Sequence, residues 1–229
     1  MTTNSINEAK KLIVSLKPQS AIAEQFRSVR TSIEFSTDEK ECQVIVVTSS
    51  EQNSGKSLVS SNLALTFSQK GKKTLLIDGD MRNPSIKKYF YIPSGHGLST
   101  LIKSKVSTQN YLFETNEKNL FILPAGITPP NPADLLGSSY MEQLIKELRK
   151  EFDHIIIDTP PVLAVSDAIL VSAFADGVIL VVRSGKTTKQ NAKKVIRLLN
   201  QSSTPVIGSI LNDVKMKLTD YYYQKKEKV

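Results

Sequence analysis

Gly55, Lys56 and Ser57 close a short polar loop that follows the apolar, β-branched run from Val44 to Val47. These residue types in this order suit a triphosphate. Backbone N–H groups curl around the phosphates, the lysine reaches the β- and γ-oxygens, and the hydroxyl serves Mg2+. Asn53, Ser54, Gly55, Lys56, Ser57 and Leu58 are the candidate phosphate contacts, with Ser50 where the pattern usually has its first glycine. Two more apolar runs end in acids. Leu75 to Ile77 leads into Asp78-Gly79-Asp80-Met81-Arg82, and Ile155 to Ile157 leads into Asp158. In an open α/β sheet, ligands gather at the C-terminal strand ends, so these carboxylates are expected to face the same nucleotide. Asp158 suits Mg2+ held through a bound water, and Arg82 can hold a phosphate or fix a carboxylate. The other reading of Asp78 is a cap on the turn after it.

The elements that must position these groups alternate along the chain. Strands are expected near 44–47, 74–77, 120–124, 154–157, 177–182 and 206–211. Helices are expected over 58–67, 98–102, 108–113, 167–174 and 189–199, with a helical turn at 133–136 after a proline-set corner. Such alternation predicts an α/β fold, a mainly parallel β-sheet flanked by helices on both faces, of the P-loop NTPase type with Walker A, A′ and B segments. From Ser20, a plausible N-cap, the spacing of Ile22, Phe26, Val29 and Ile33 predicts an amphipathic helix whose polar stripe carries Glu24, Arg27 and Arg30. Residues 1–19 read as an N-terminal arm, extended or flexible up to Pro18; residues 20–212 read as the nucleotide-binding domain and 213–229 as a C-terminal tail. The tail loses apolar periodicity and contains Tyr221, Tyr222 and Tyr223, which cannot all pack on one face.

The chain of 229 residues is long enough to bury a full core, and 40% hydrophobic content fits a globular protein. No apolar run approaches the roughly 18–20 residues of a membrane span, so a cytoplasmic location is the default. One cysteine, Cys42, excludes an intrachain disulfide, and His96 and His154 have no companions at metal-ligand spacing. A formal charge of +8 suits phosphates, acidic partners or an anionic surface. The basic-aromatic interleaving of single-strand binders is missing, and nucleic acid is not an expected partner.

With these residues in place the chain resembles the bacterial tyrosine kinases of capsule and exopolysaccharide systems, in their Gram-positive stand-alone cytoplasmic form, over about residues 18–223. The match rests on the Walker A loop from Ser50 to Ser57, the D-x-D-x-R of Asp78, Asp80 and Arg82, the Walker B strand ending at Asp158, the E-x-x-R-x-x-R of Glu24, Arg27 and Arg30, and the terminal tyrosines. The resemblance implies ATP and Mg2+ as cofactors. Lys56, Asp78, Asp80 and Arg82 would form the catalytic group, with Asp80 approaching the incoming tyrosine hydroxyl, and Ser57, Asp78 and Asp158 the metal group. Asn212 would lie on the adenine side. It further implies a ring-shaped homo-oligomer with Glu24, Arg27 and Arg30 at subunit contacts, and trans-phosphorylation of Tyr221, Tyr222 and Tyr223. The implied partners are a membrane-embedded polysaccharide chain-length regulator, which recruits the kinase to the membrane and activates it, and a cognate tyrosine phosphatase. The alternative is a partitioning-type Walker ATPase hydrolysing ATP as a dimer. Those enzymes usually carry an extra lysine at the position occupied here by Glu51.

Overall fold

The computed structural model describes residues 12–36, 42–93, 95–104 and 108–215. Tyr221 to Tyr223 lie outside the described residues. Among the described residues seven strands form one sheet: β1 (Val44–Ser49), β2 (Thr74–Asp78), β3 (Phe113–Glu114), β4 (Leu120–Leu123), β5 (His154–Asp158), β6 (Gly177–Arg183) and β7 (Val206–Asn212). Their spatial order is β3-β4-β2-β5-β1-β6-β7, and every neighbouring pair is parallel except β3 with β4. The sheet is buried on both faces, so β1, β2 and β5 are buried at every residue and read as unbroken apolar runs. The period of two still decides which core each residue enters. Val44, Val46, Leu75, Ile77, Ile155 and Ile157 point into one cluster. Ile45, Val47, Leu76 and Ile156 point into the other.

Four helices cover the second face: α1 (Ile13–Leu16), α2 (Ala21–Phe35), α3 (Lys56–Gln69) and α4 (Ile86–Phe90), through Val14, Ala23, Leu63, Phe67 and Ile86. The first face is covered by α5 (Leu98–Ser104), α6 (Pro132–Leu136), α7 (Ser139–Leu148), α8 (Asp167–Ser172) and α9 (Lys189–Leu199). Ser20 caps α2 by accepting the Ala23 N–H, as its position suggests. The P-loop helix α3 is buried almost all round, including Ser60, Ser61, Asn62, Thr66 and Ser68. Its small polar side chains satisfy themselves on carbonyls three or four residues back, for example Ser61 on Ser57 and Thr66 on Leu63. A helix made this way can sit against the sheet without an exposed polar face.

The structure corrects the expected N-terminal arm. Residues 13–16 form α1, and Leu12 and Val14 are buried in the core beneath α3, with the Val14 N–H donating to Asn62 Oδ1. An apolar patch of three residues is too short for a periodicity argument, yet it fills a gap beside a neighbouring helix. The expected helix at 108–113 is a single 3-10 turn, Thr108–Tyr111, followed by β3. Two helices without a sequence forecast, α4 and α7, complete the two layers.

Candidate active site

Parallel register brings the three functional strand ends together. β1 lies between β5 and β6, and β5 pairs with β2 so that Asp78 and Asp158 are direct register partners. From β1 the chain turns through the loop into α3, whose N-cap, Gly55, has φ +85°. The positive φ favours glycine, and a Cβ there would also lie 2.1 Å from Asn212 Nδ2 and push that amide aside. Asn212, the last residue of β7, donates through Nδ2 to the Ser54 carbonyl at 3.0 Å. The sequence places Asn212 beside the nucleotide only through the family resemblance; the structure brings it to the loop.

Lys56 reaches across the site. Its ammonium lies 2.8 Å from Asp80 Oδ2 and 3.8 Å from Asp158 Oδ2. Burial alone would lower its pKa, but the charges of Asp158, Asp80 and Asp78 win and raise it, so the cation is firmly held. Asp80 also accepts the Asn83 N–H at 3.0 Å, which fixes the carboxylate at the cavity wall. Asp78 is fully buried. Its Oδ2 accepts the N–H groups of Ser85 and Ile86 at 3.1 Å, so it does hold the start of α4, in line with the capping reading. Burial, then the neighbouring Asp158 charge, pushes its pKa up to about 8. Asp158 is also raised, chiefly by burial, against the opposing influence of Lys56 and of hydrogen bonds from Ser57 and Ser60.

One oxygen of each register partner, Asp78 Oδ1 and Asp158 Oδ2, is buried without a hydrogen-bond partner. Two unsatisfied carboxylate oxygens beside a P-loop hydroxyl fit a hard divalent cation. Among the described residues no cluster of three or more His, Cys, Asp or Glu could hold a metal unaided. That suits Mg2+, which takes few protein ligands and completes its shell with water and phosphate oxygens. Arg82 lines the cavity and makes a bidentate pair with the buried Asp167, Nε to Oδ2 at 2.9 Å and Nη2 to Oδ1 at 3.1 Å. Of the two roles open to it, it fills the carboxylate-fixing one, tying the A′ segment to α8.

Sequence reasoning missed the braces on the loop. Arg183, ending β6, donates to the Asn53 carbonyl at 3.0 Å and pairs with Asp213 at 2.9 Å. Glu51 accepts from Asn191 Nδ2 at 2.7 Å and Thr187 Oγ1 at 3.0 Å, and also from Ser50. Burial works against ionisation of Glu51, but the Ser50, Asn191 and Thr187 bonds prevail and lower its pKa. That a strand runs over 177–182 was legible; that Arg183 extends it and that it neighbours β1 were not, because strand order is not written in the chain.

The E-x-x-R-x-x-R residues lie on α2, away from the phosphate loop, and the structure spends them unequally. Arg27 bonds Glu24 and the Pro18 carbonyl near the surface. Arg30 turns inward, donating to the Thr66 carbonyl on α3 at 2.8 Å.

A three-strand edge with P-loop, buried acids and a committed lysine defines a Walker-type ATP-binding phosphotransfer site. Residues 42–209 match a family model described as AAA domain. The chain is 41% identical over 213 residues to CapB of Staphylococcus aureus, covering 93% of each. It is 39% identical over 215 residues to the tyrosine-protein kinase YwqD of Bacillus subtilis, covering 93% of this chain and 91% of YwqD. The crystal structure of the chimerical protein CapA2B2 superposes with a TM-score of 0.87 at 38% identity, covering 90% and 91% of the two chains. The chain therefore belongs to the bacterial tyrosine-protein kinases of capsule and polysaccharide systems; it is a tyrosine-protein kinase and matches more than nine-tenths of the length of CapB and YwqD.

Proposed function

We propose that this kinase uses Mg-ATP to phosphorylate the Tyr221–Tyr223 cluster of a neighbouring copy within a homo-oligomer, and that this controls polysaccharide synthesis. The observation that carries the reading is the placement of Lys56 and Asp80, 2.8 Å apart on the wall of an open cavity of about 390 Å3. Beyond them the cavity continues between Tyr89 and Lys88 on one side and Pro160, Pro161, Ala164 and Val165 on the other. Asn212, Arg183 and Glu51 do not line this cavity; with Asn212 read as the base-side residue, the cavity's far end is left for an acceptor.

Lys56 neutralises charge on the β- and γ-phosphates, and the N–H groups around Gly55 hold the chain of phosphates in place. Ser57, with the free oxygens of Asp78 and Asp158, would hold Mg2+, which supplies further charge neutralisation when bound. Asp80 exchanges its Lys56 partner for the incoming tyrosine hydroxyl and accepts its proton. The tyrosine oxygen forms the new bond to phosphorus, the bond from the γ-phosphorus to the bridging oxygen breaks, and ADP leaves with that electron pair. An ordinary tyrosine has a pKa near 10. Removing its proton therefore helps, though positioning and charge neutralisation are the larger effects.

Two further features support the assembly reading: the charged stripe on α2 and the likeness to the chimerical protein CapA2B2. A membrane-embedded regulator would then recruit and activate the kinase, and a cognate phosphatase would reverse it. The dimeric ATPase alternative loses ground at Glu51, which is engaged with Thr187 and Asn191 of its own chain where a lysine would be needed.

The test is intact-mass spectrometry of the full chain with Mg-ATP and the regulator's cytoplasmic segment. Phosphate is expected on the wild type and is expected to vanish in the triple variant Tyr221→Phe, Tyr222→Phe, Tyr223→Phe. ATP hydrolysis with no added mass would favour the ATPase reading.

A further inference from the structure

The acceptor end of the cavity is chemically lopsided. Pro160 and Pro161 are buried, and with Ala164 and Val165 they make an apolar wall of a kind that suits an aromatic ring. Tyr89 and the exposed Lys88, from α4, line the same cavity. Of the described residues lining the cavity, only Asp80 is acidic, and it is already paired with Lys56. Arg82 also lines it, but Asp167 compensates its charge through two hydrogen bonds. The Lys88 ammonium makes no hydrogen bond or ion pair among the described residues, so its charge at this rim is uncompensated.

In an extended acceptor segment, residues next to the reacting tyrosine point away from the ring pocket, towards the rim. The tail offers Asp220 before Tyr221-Tyr222-Tyr223 and Gln224-Lys225-Lys226 after it. Any tyrosine of the cluster that has already reacted presents an adjacent phosphate carrying close to two negative charges.

We propose that Lys88 is a specificity residue of the acceptor side, favouring a tyrosine whose sequence neighbour is negatively charged, either a carboxylate or a phosphotyrosine. This rests on the reading of the tail cluster as acceptor and extends it. One transfer makes the next on the same tail faster, so tails fill in succession instead of collecting single phosphates at random. A cluster of adjacent tyrosines then behaves as a graded counter whose later steps are favoured by its first.

The experiment uses the full-length kinase, with its activating segment, on synthetic peptides spanning residues 218–226. One peptide is unmodified, one carries phosphotyrosine at position 222, and one carries Asp220→Lys. The readout is the ratio of kcat/KM between peptides within one enzyme, so a general loss of activity cancels. The wild type is expected to prefer the phosphorylated peptide about tenfold and to disfavour the Asp220→Lys peptide about threefold. Lys88→Arg should retain both preferences, Lys88→Gln should bring both to within about twofold of one, and Lys88→Glu should invert them. Should the Lys88 variants be inactive, salt decides on the wild type, where a ratio falling towards one between about 0.05 and 0.5 M supports a charge contact and a flat ratio overturns it. Wild-type ratios near one, or ratios that Lys88→Gln leaves unchanged, overturn this inference alone. Hydrolysis of ATP with no transfer to any peptide overturns the acceptor reading and this inference with it.

Discussion

Asp78 and Asp158 are register partners on adjacent strands, buried completely, with one unsatisfied oxygen each. Two carboxylates so placed cannot both be comfortably ionised unless a cation joins them, and Lys56 alone is shared with Asp80. The folded-state pKa of Asp78, about 8, lies above its ordinary value of 3.8. Between those values the folded, ligand-free Asp78 holds a proton that the unfolded chain has lost, so this carboxyl's contribution to stability is full below about 3.8 and is lost as pH rises through about 8. We expect Asp78→Asn to flatten that decline in denaturant titrations of the nucleotide-free, EDTA-treated protein between pH 5 and pH 8.5. An unchanged slope would mean that the buried carboxyl is already ionised. The same substitution should weaken transfer, since it removes a charge from the metal group.

At the level of elements, the C-terminal strand ends were legible because apolar runs ending in acids are local patterns, and α9 (Lys189–Leu199) has the forecast bounds. Its amphipathic spacing, with Val195 and Leu199 buried, is a feature that any chain carries in its own sequence. Failures came where an element draws its stability from elsewhere. α4 is five residues long, too short to hold itself, and begins where Asp78 accepts two of its N–H groups. α1 is shorter still, anchored by Val14 beneath α3 and by the bond to Asn62. Val14→Ala should therefore destabilise the fold by about 1–2 kcal/mol, a cost expected of a core cavity and not of a solvated arm. Chemical denaturation would measure it, and a change below about 0.5 kcal/mol would return residues 12–16 to the status of a loose arm.

On the scale of the whole molecule, the proposed assembly would turn on α2. Arg30 is largely committed to the Thr66 carbonyl, so replacing it confounds docking with the packing of α2 on α3. Glu24 is the better probe, because its side chain is 67% exposed and its contact with Arg27 is a surface pair worth little to the fold. Glu24→Arg is expected to lower the native mass of the oligomer while leaving the melting temperature within about 2 °C. Light scattering that finds the mass unchanged would show that the stripe is solvated charge.

The amino-acid sequence by itself determined the chemistry of this protein. A loop ending in Gly55-Lys56-Ser57 and acids after β-branched runs are contiguous features, because the residues expected to meet phosphate and metal come from a strand end or the loop just beyond it. Tertiary structure alone decided which of these groups meet. Strand order set Asp78 against Asp158, brought Asn212 and Arg183 to the loop, turned Arg82 towards Asp167, and left Lys88 uncompensated at the rim of the cavity. The physical reason is that parallel strands pair through long crossovers, so neighbours in the sheet are far apart in the chain. Their contacts depend on which helices fill the two faces, and no local pattern of residues encodes that.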